Sequence, residues 1–220
     1  MDRLTLYIGN KNYSSWSLRP WLAMTVAGIP LDEVVIPLWQ DDSRAAVLAR
    51  SPSGKVPALR DGAVTVWESL AILSWLAERF PQASLWPAGT AARAAALAVS
   101  HEMHAGFTAL RQAMPMNCRA RRDLGALAPP VAVDVARVAA IWSDCRTCHG
   151  AGGPFLFGSF GIADAMYAPV ASRFRTYGIV LDGAAEAYKE TLLDLPAMRR
   201  WYADAAAEPW SVARFDGVPG

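Results

Sequence analysis

The chain has 220 residues, room for one large or two small domains, and 53% of them are hydrophobic against 19% charged, which fills a core and excludes a disordered chain. Its 21 Lys and Arg stand against 20 Asp and Glu, so no excess of charge directs it to nucleic acid or to an anionic membrane. No uninterrupted apolar run approaches the ~18 residues of a membrane span, the opening MDRLTLYIGN is too weak for a signal peptide, and Cys118, Cys145 and Cys148 make no secreted disulfide framework. A cytoplasmic protein with reduced thiols is expected, and a neutral or zwitterionic small ligand is left open.

In chain order, LTLYIG at 4–9 alternates and is β-branched or aromatic, as in a strand. From Leu18 to Ala27 the spacing turns helical and stops at Gly28, before Pro30. EVVIPL at 33–38 predicts a second strand, and a short helix fits 43–49. KVPALRDGAVTVWES predicts two strands about a turn at Asp61-Gly62. ESLAILSWLAERF at 68–80 carries a helical stripe of Leu70, Ile72, Leu73, Leu76 and Phe80. A strand, a crossover helix and a second strand make a parallel pair, and the hairpin extends it antiparallel. PQASLWPAGT reads as a linker. Beyond it the chain is alanine-rich, with helices predicted over 91–115, 131–148, 162–176, 184–194 and 196–207. The expected fold is an α/β domain over 1–81, a linker over 82–90 and an all-α domain over 91–220.

The stretch NKNYSSWSLRPWL crowds Tyr13, Ser14 and Ser15 together at the end of the first strand. Pro20 is compatible with a helix in its first turn, which puts the helix start near Ser17, itself a good cap. The three hydroxyls then lie ahead of a helix N-terminus, at the strand edge where open α/β sheets bind ligands. A hydroxyl there suits a thiol, because it can donate to the sulfur anion. A free thiol titrates near ~8.5, and each unit of depression corresponds to about 1.4 kcal/mol of preference for the thiolate. Capping of the helix and solvation of the loop is the competing explanation of these serines.

Taken with SPSGKVPAL, WESLAIL and FLFGSFGIADAMYAPV, the stretch YSSWSLRPWL resembles a cytosolic glutathione transferase over nearly the whole chain, of a bacterial kind with zeta-like and beta-like features. The resemblance implies a thioredoxin-like N-terminal domain, an all-helical C-terminal domain and a homodimer. It implies that Pro57 follows a cis bond, so that the Val56 backbone pairs with the cysteinyl unit of glutathione. Glu68 and Ser69, at a helix start, complement the ammonium and carboxylate of its γ-glutamyl end. Lys55 would meet the glycyl carboxylate. The doubled serine is zeta-like, whereas the beta-class catalytic cysteine falls where this chain has Trp16. That leaves Ser15 first, Ser14 beside it and Tyr13 third as the group that handles the thiol.

Helical spacing puts His104, Phe107, Arg111 and Met114 on one face, which forms either part of a co-substrate pocket with Trp16 or plain core. Arg175 would meet a co-substrate carboxylate, as an arginine of this region does in the isomerase members. Arg111, Arg119, Arg121 and Arg122 would attract anionic co-substrates or lie solvated. DCRTCHG at 144–150 has the Cys-x-x-Cys-His spacing of haem attachment but no export context, and only His101 and His104 remain for zinc, so neither haem nor metal is expected. Gly161 stands where the family caps its sixth helix with Ser or Thr, with Asp164 three residues on. The expected function is attack of a glutathione thiolate on a hydrophobic electrophile. The alternatives are a zeta-like isomerase of a maleylacetoacetate-type diacid and a glutathione-binding module without turnover.

Overall fold

The computed structural model describes residues 4–217. Strand β1 (Leu4–Ile8) pairs in parallel with β2 (Leu31–Val35), Leu4 opposite Leu31 and Ile8 opposite Val35. On its other side it pairs antiparallel with β3 (Ala58–Asp61), which turns through Gly62 into β4 (Val64–Trp67), giving the order β2-β1-β3-β4. Gly62 has a φ of 58°, the left-handed value that a tight hairpin turn asks of its first residue. The period of two in β1 sends Leu4, Leu6 and Ile8 into one core with helices α1 (Ser15–Val26) and α3 (Ser69–Arg79). Tyr7 goes to the opposite face, against Val47 of α2 (Ser43–Leu48). The Val56–Pro57 peptide is cis, at the approach to β3.

After a 3-10 turn at Pro81–Ala83 the chain is helical: α4 (Thr90–Ala105), α5 (Thr108–Ala113), α6 (Pro129–His149), α7 (Ile162–Thr176), α8 (Gly183–Leu193), α9 (Pro196–Ala207) and α10 (Ala213–Asp216). Helix α7 is buried on almost every side and forms the centre, with Trp142 of α6 wedged against its Tyr167 and Phe174. Asp164 caps α7 by accepting from the Gly161 and Leu156 amides at 2.8 and 3.1 Å and from the Tyr188 hydroxyl at 3.0 Å. Helix α1 packs on α7 and α9 as well as on α3, so the α/β and helical parts share a core. Leu18, Trp21 and Leu22 are buried there, each worth about 1.5–3 kcal/mol. Beside them the Lys11 ammonium sits 2.6 Å from Glu33 and 2.7 Å from Asp204, over the rings of Trp21 and Trp201.

Two expectations are corrected. Helix α1 begins at Ser15 with Ser14 as its cap, so Pro20 lies in the second turn. The cost of the missing N–H falls on the Trp16 carbonyl, four residues back. The helix expected over 91–115 is broken at Gly106 and Phe107, the latter with a φ of 61°. A Cβ at Gly106 would stand 2.9 Å from the Glu102 carbonyl oxygen. Arg111 closes the break by donating to the carbonyls of Gly106 at 2.9 Å and His104 at 3.1 Å, and to that of Met103. Phe107 and Met114 are consequently core residues and do not share a face with His104.

Candidate active site

The three neighbouring hydroxyls at the β1–α1 junction have different hydrogen-bond partners. A hydroxyl has one hydrogen to donate and two lone pairs. Ser14 Oγ donates to Ser17 Oγ at 2.8 Å and accepts from the Ser17 amide at 3.4 Å, while Ser17 Oγ also receives the Gly9 amide at 3.0 Å. Ser14 is thus committed to the cap. Tyr13 donates to Asp216 Oδ2 at 2.7 Å and accepts from Arg119 and the Val212 amide at 3.0 and 3.2 Å. Ser15 Oγ accepts from Arg173 Nη2 at 3.3 Å, and among the described residues its own hydrogen has no acceptor. Of the three, only Ser15 keeps a donor for a ligand.

Ser15 opens on a cavity of about 500 Å³ bounded by Trp39, Arg44, Arg111, Arg173 and Phe215. A second hollow of about 530 Å³ adjoins it and is lined by Pro57, Glu68, Ser69 and His104. Trp16, Lys55 and Val56 line both, so the two are halves of one cleft. This places Tyr13, Ser14, Ser15, Trp16, Lys55, Val56 and Arg111 about one half and Pro57, Glu68, Ser69 and His104 about the other. Phe107, Met114 and Arg175 line neither.

The start of α3 is arranged differently from what its two polar residues imply. Glu68 has a φ of 77°, strain of order 1–3 kcal/mol for a residue with a side chain. That turn lets its carboxylate accept from the amides of Ser69, Leu70 and Ala71 at 2.7, 3.0 and 3.4 Å. Ser69 Oγ donates to Glu68 at 3.2 Å and accepts from Arg19 Nη1 at 3.4 Å, with the residue fully buried. Glu68 therefore faces the hollow as a capped carboxylate, and Ser69 is held inside the wall. His104 Nδ1 stands 3.6 Å from Glu68 Oε1. Burial holds its pKa below the ordinary imidazole value, with Arg19 and Arg111 adding to the effect against the pull of Glu68.

Sequence reasoning missed Arg173 and, with it, Trp39, Arg44 and Phe215 of the cavity lining. Residues 173 and 175 stand about 200° apart around a helix, at 3.6 residues per turn. Arg175 consequently points outward, its guanidinium 4.5 Å over the Tyr202 ring, and Arg173 points into the cavity. The largely apolar composition of α7 was a usable signal, since each charge on so buried a helix needs a reason: Asp164 caps it and Arg173 lines the cavity. Arg173 Nε donates to the Met114 carbonyl at 2.7 Å. Its pKa is pushed down to about 10 by burial and by Arg111. Arg19 is also lowered, by burial first and then by Arg111 and Arg173, and its Nε has no partner among the described residues. The Trp16 indole lies between two of these cations, with Arg19 at 4.3 Å and Arg111 at 5.0 Å from its ring. Among the described residues none of Arg19, Arg111 and Arg173 forms an ion pair. Arg111 and Arg173 give the cavity a cationic lining, which suits an anion.

The cysteines lie apart from this cleft. Burial pushes Cys118 up to about 12 and Cys145 up to about 11, while Cys148 is exposed at the end of α6. Among the described residues no three or more His, Cys, Asp or Glu side chains are grouped to hold a metal ion, and no helix is long and apolar enough to cross a membrane.

Residues 13–79 match the family described as glutathione S-transferase, N-terminal domain. A maleylpyruvate isomerase from a Ralstonia species is 34% identical over 83 residues, 36% of this chain and 39% of that protein. The matched segment thus spans well under half of the curated relative's length. Among solved structures, a Burkholderia glutathione transferase homologue with bound glutathione superposes with a TM-score of 0.70 at 20% identity, covering 94% of this chain and 100% of the other. A bacterial zeta-class maleylpyruvate isomerase gives 0.66 at 23% identity with the same coverage, and poplar glutathione transferase F1 gives 0.70 at 16%. Residues 13–79 are thus similar to a glutathione S-transferase N-terminal domain, and the chain has the glutathione transferase fold.

Proposed function

We propose that the protein is a glutathione-dependent enzyme in which Ser15 donates a hydrogen bond to the glutathione thiolate, which then attacks an electrophilic co-substrate. The observation that carries this reading is the uncommitted Ser15 hydrogen at a helix N-terminus, with the Arg173 guanidinium behind the same oxygen. The γ-glutamyl end would occupy the hollow of Glu68, its ammonium against that carboxylate. The cysteinyl backbone would lie along Val56 and the glycyl carboxylate near Lys55. In this reading residues 1–81 hold glutathione, 82–90 connect, and 91–220 supply the co-substrate wall, in a cytoplasmic homodimer. The sulfur lone pair forms the new carbon–sulfur bond, and a leaving group departs or a carbanion is protonated.

A second reading has its own support. Arg111 and Arg173 at the cavity, without carboxylate partners, suit an acidic co-substrate, and the 83-residue match is to a maleylpyruvate isomerase. The thiolate would then add to a cis-diacid and leave again after rotation, with glutathione unconsumed. Calorimetry with glutathione, followed by its thiolate ultraviolet band in wild type and Ser15→Ala, tests the shared chemistry. Uptake with a band that Ser15→Ala abolishes supports it, and no uptake refutes it. Conversion of a cis-diacid with glutathione conserved selects the isomerase. Binding with no turnover over a broad electrophile panel leaves a binding module.

A further inference from the structure

Tyr13, two residues before Ser15, is bound to the segment 208–217. Its hydroxyl holds Asp216, which also accepts from Asn117 Nδ2 at 2.9 Å and from the Val212 amide at 2.9 Å. The backbone of the same segment is held by cations: Arg119 donates to the carbonyls of Glu208 and Trp210 at 3.1 and 2.6 Å, and Arg122 to those of Phe215 and Asp216 at 2.7 and 2.9 Å. The Glu208 carboxylate in turn accepts from the Lys11 and Asn12 amides at 2.5 and 3.0 Å. Segment 208–217 is thereby strapped to the loop that carries Ser14 and Ser15.

The strap brings Phe215 to the cavity, where its ring lies 5.5 Å from Tyr13 and 5.0 Å from Trp39. Trp39 is 42% exposed, and Arg214 covers both rings from outside at 4.7 and 4.4 Å. One wall of the cavity is therefore aromatic, while Arg111 and Arg173 make another part of its lining cationic. Flat apolar groups are favoured by such rings, and a carboxylate by the guanidinium pair.

We propose that Trp39 and Phe215 determine co-substrate specificity, selecting a flat unsaturated or aromatic carboxylic acid, and that Tyr13 is a positioning residue which latches Phe215 in place. This rests on the reading of the cavity as the co-substrate site. The selection is two-point: the acid group meets Arg111 and Arg173, and the π surface meets Trp39 and Phe215.

The test is calorimetric binding of cinnamate, 3-cyclohexylpropanoate and cinnamamide to the full-length protein, with glutathione titrated separately. Wild type should prefer cinnamate to the saturated acid by about three- to ten-fold, the worth of aromatic contact. It should prefer cinnamate to the neutral amide by about ten-fold or more. Phe215→Leu and Trp39→Leu, which keep apolar bulk, should bring the flat-over-saturated ratio close to one and leave the acid-over-amide ratio standing. Tyr13→Phe should lower the first ratio part of the way and leave the acid-over-amide ratio standing. Equal binding of the two acids by wild type, or an unaltered ratio in both leucine variants, overturns the proposal even where glutathione binds and ionises. Absence of glutathione binding with the ratios as expected instead refutes the glutathione reading and leaves the clasp in place.

Discussion

Helices α1 and α3 both begin at the cleft with a serine in the first turn, yet they reach opposite states. At α1 the cap is Ser14, whose hydroxyl is engaged with Ser17, so the next residue keeps its hydrogen for a ligand. At α3 the preceding carboxylate folds over its own helix, takes three amides and the Ser69 hydroxyl, and seals the terminus. Each serine accepts from a buried arginine, Arg173 at Ser15 and Arg19 at Ser69, so the difference is the Glu68 carboxylate, which takes the Ser69 hydrogen while that of Ser15 has no acceptor among the described residues. A helix start is thus open to a ligand when a neighbour uses its lone pairs and leaves its hydrogen.

A third terminus, that of α7, is the sealed extreme and sharpens the contrast most. Asp164→Ala removes three acceptances by a fully buried carboxylate, and should lower stability by about 3 kcal/mol in denaturant titrations with little change in the thiolate band of bound glutathione. Burial pushes this carboxyl up to about 6, against the hydrogen bonds from Leu156, Gly161 and Tyr188 that pull it down. An unfolded aspartate titrates near ~3.9, so between about 4 and 6 the folded chain binds the extra proton. The group's contribution to stability is therefore greatest below that window and falls as pH rises through about 6. Denaturant midpoints measured against pH should lose this decline in Asp164→Asn.

At α1 the expected loss is next in size. Ser15→Ala should lower kcat/KM about 10- to 100-fold, the worth of one charge-assisted hydrogen bond of about 1.5–3 kcal/mol. An equal loss in Ser14→Ala would break the comparison, because the cap and the donor would then be interchangeable. At α3, Glu68→Gln should weaken glutathione about ten-fold in calorimetry, the cost of removing the negative charge facing its ammonium. The smallest effect is expected for Ser14→Ala: about 1 kcal/mol of stability, read from thermal unfolding, with the thiolate band retained.

Much of this was legible in the chain. The alternation in LTLYIG, the Asp61-Gly62 turn and the stripe of α3 predict the sheet and its helices, because burial of one face at a fixed period is a local property. The motifs around Ser15, Val56 and Glu68 point to the cleft. The break at Gly106 was not legible in an alanine-rich stretch of strong helix propensity, since Arg111 stabilises it from across the gap. Arg175 in place of Arg173 was an error of two residues, and only the rotation of α7 against α1 separates an exposed guanidinium from a buried one.

The sequence by itself determined the four strands, most of the helices and their order, and its family resemblance implied that hydroxyls, a cis-prolyl turn and an acid–serine pair meet near one sheet edge. The tertiary structure alone decided which hydroxyl keeps its hydrogen, because that depends on donors arriving from residues 119 and 173 and on the acceptor at residue 216, far away in the chain. It also decided that Arg19 and Arg111 share the Trp16 ring, that Arg111 and Arg173 share one cavity, and that Phe215 of the last helix walls it. Periodicity is written in neighbours along the chain, whereas hydrogen-bond saturation is a property of all the groups that packing brings within reach.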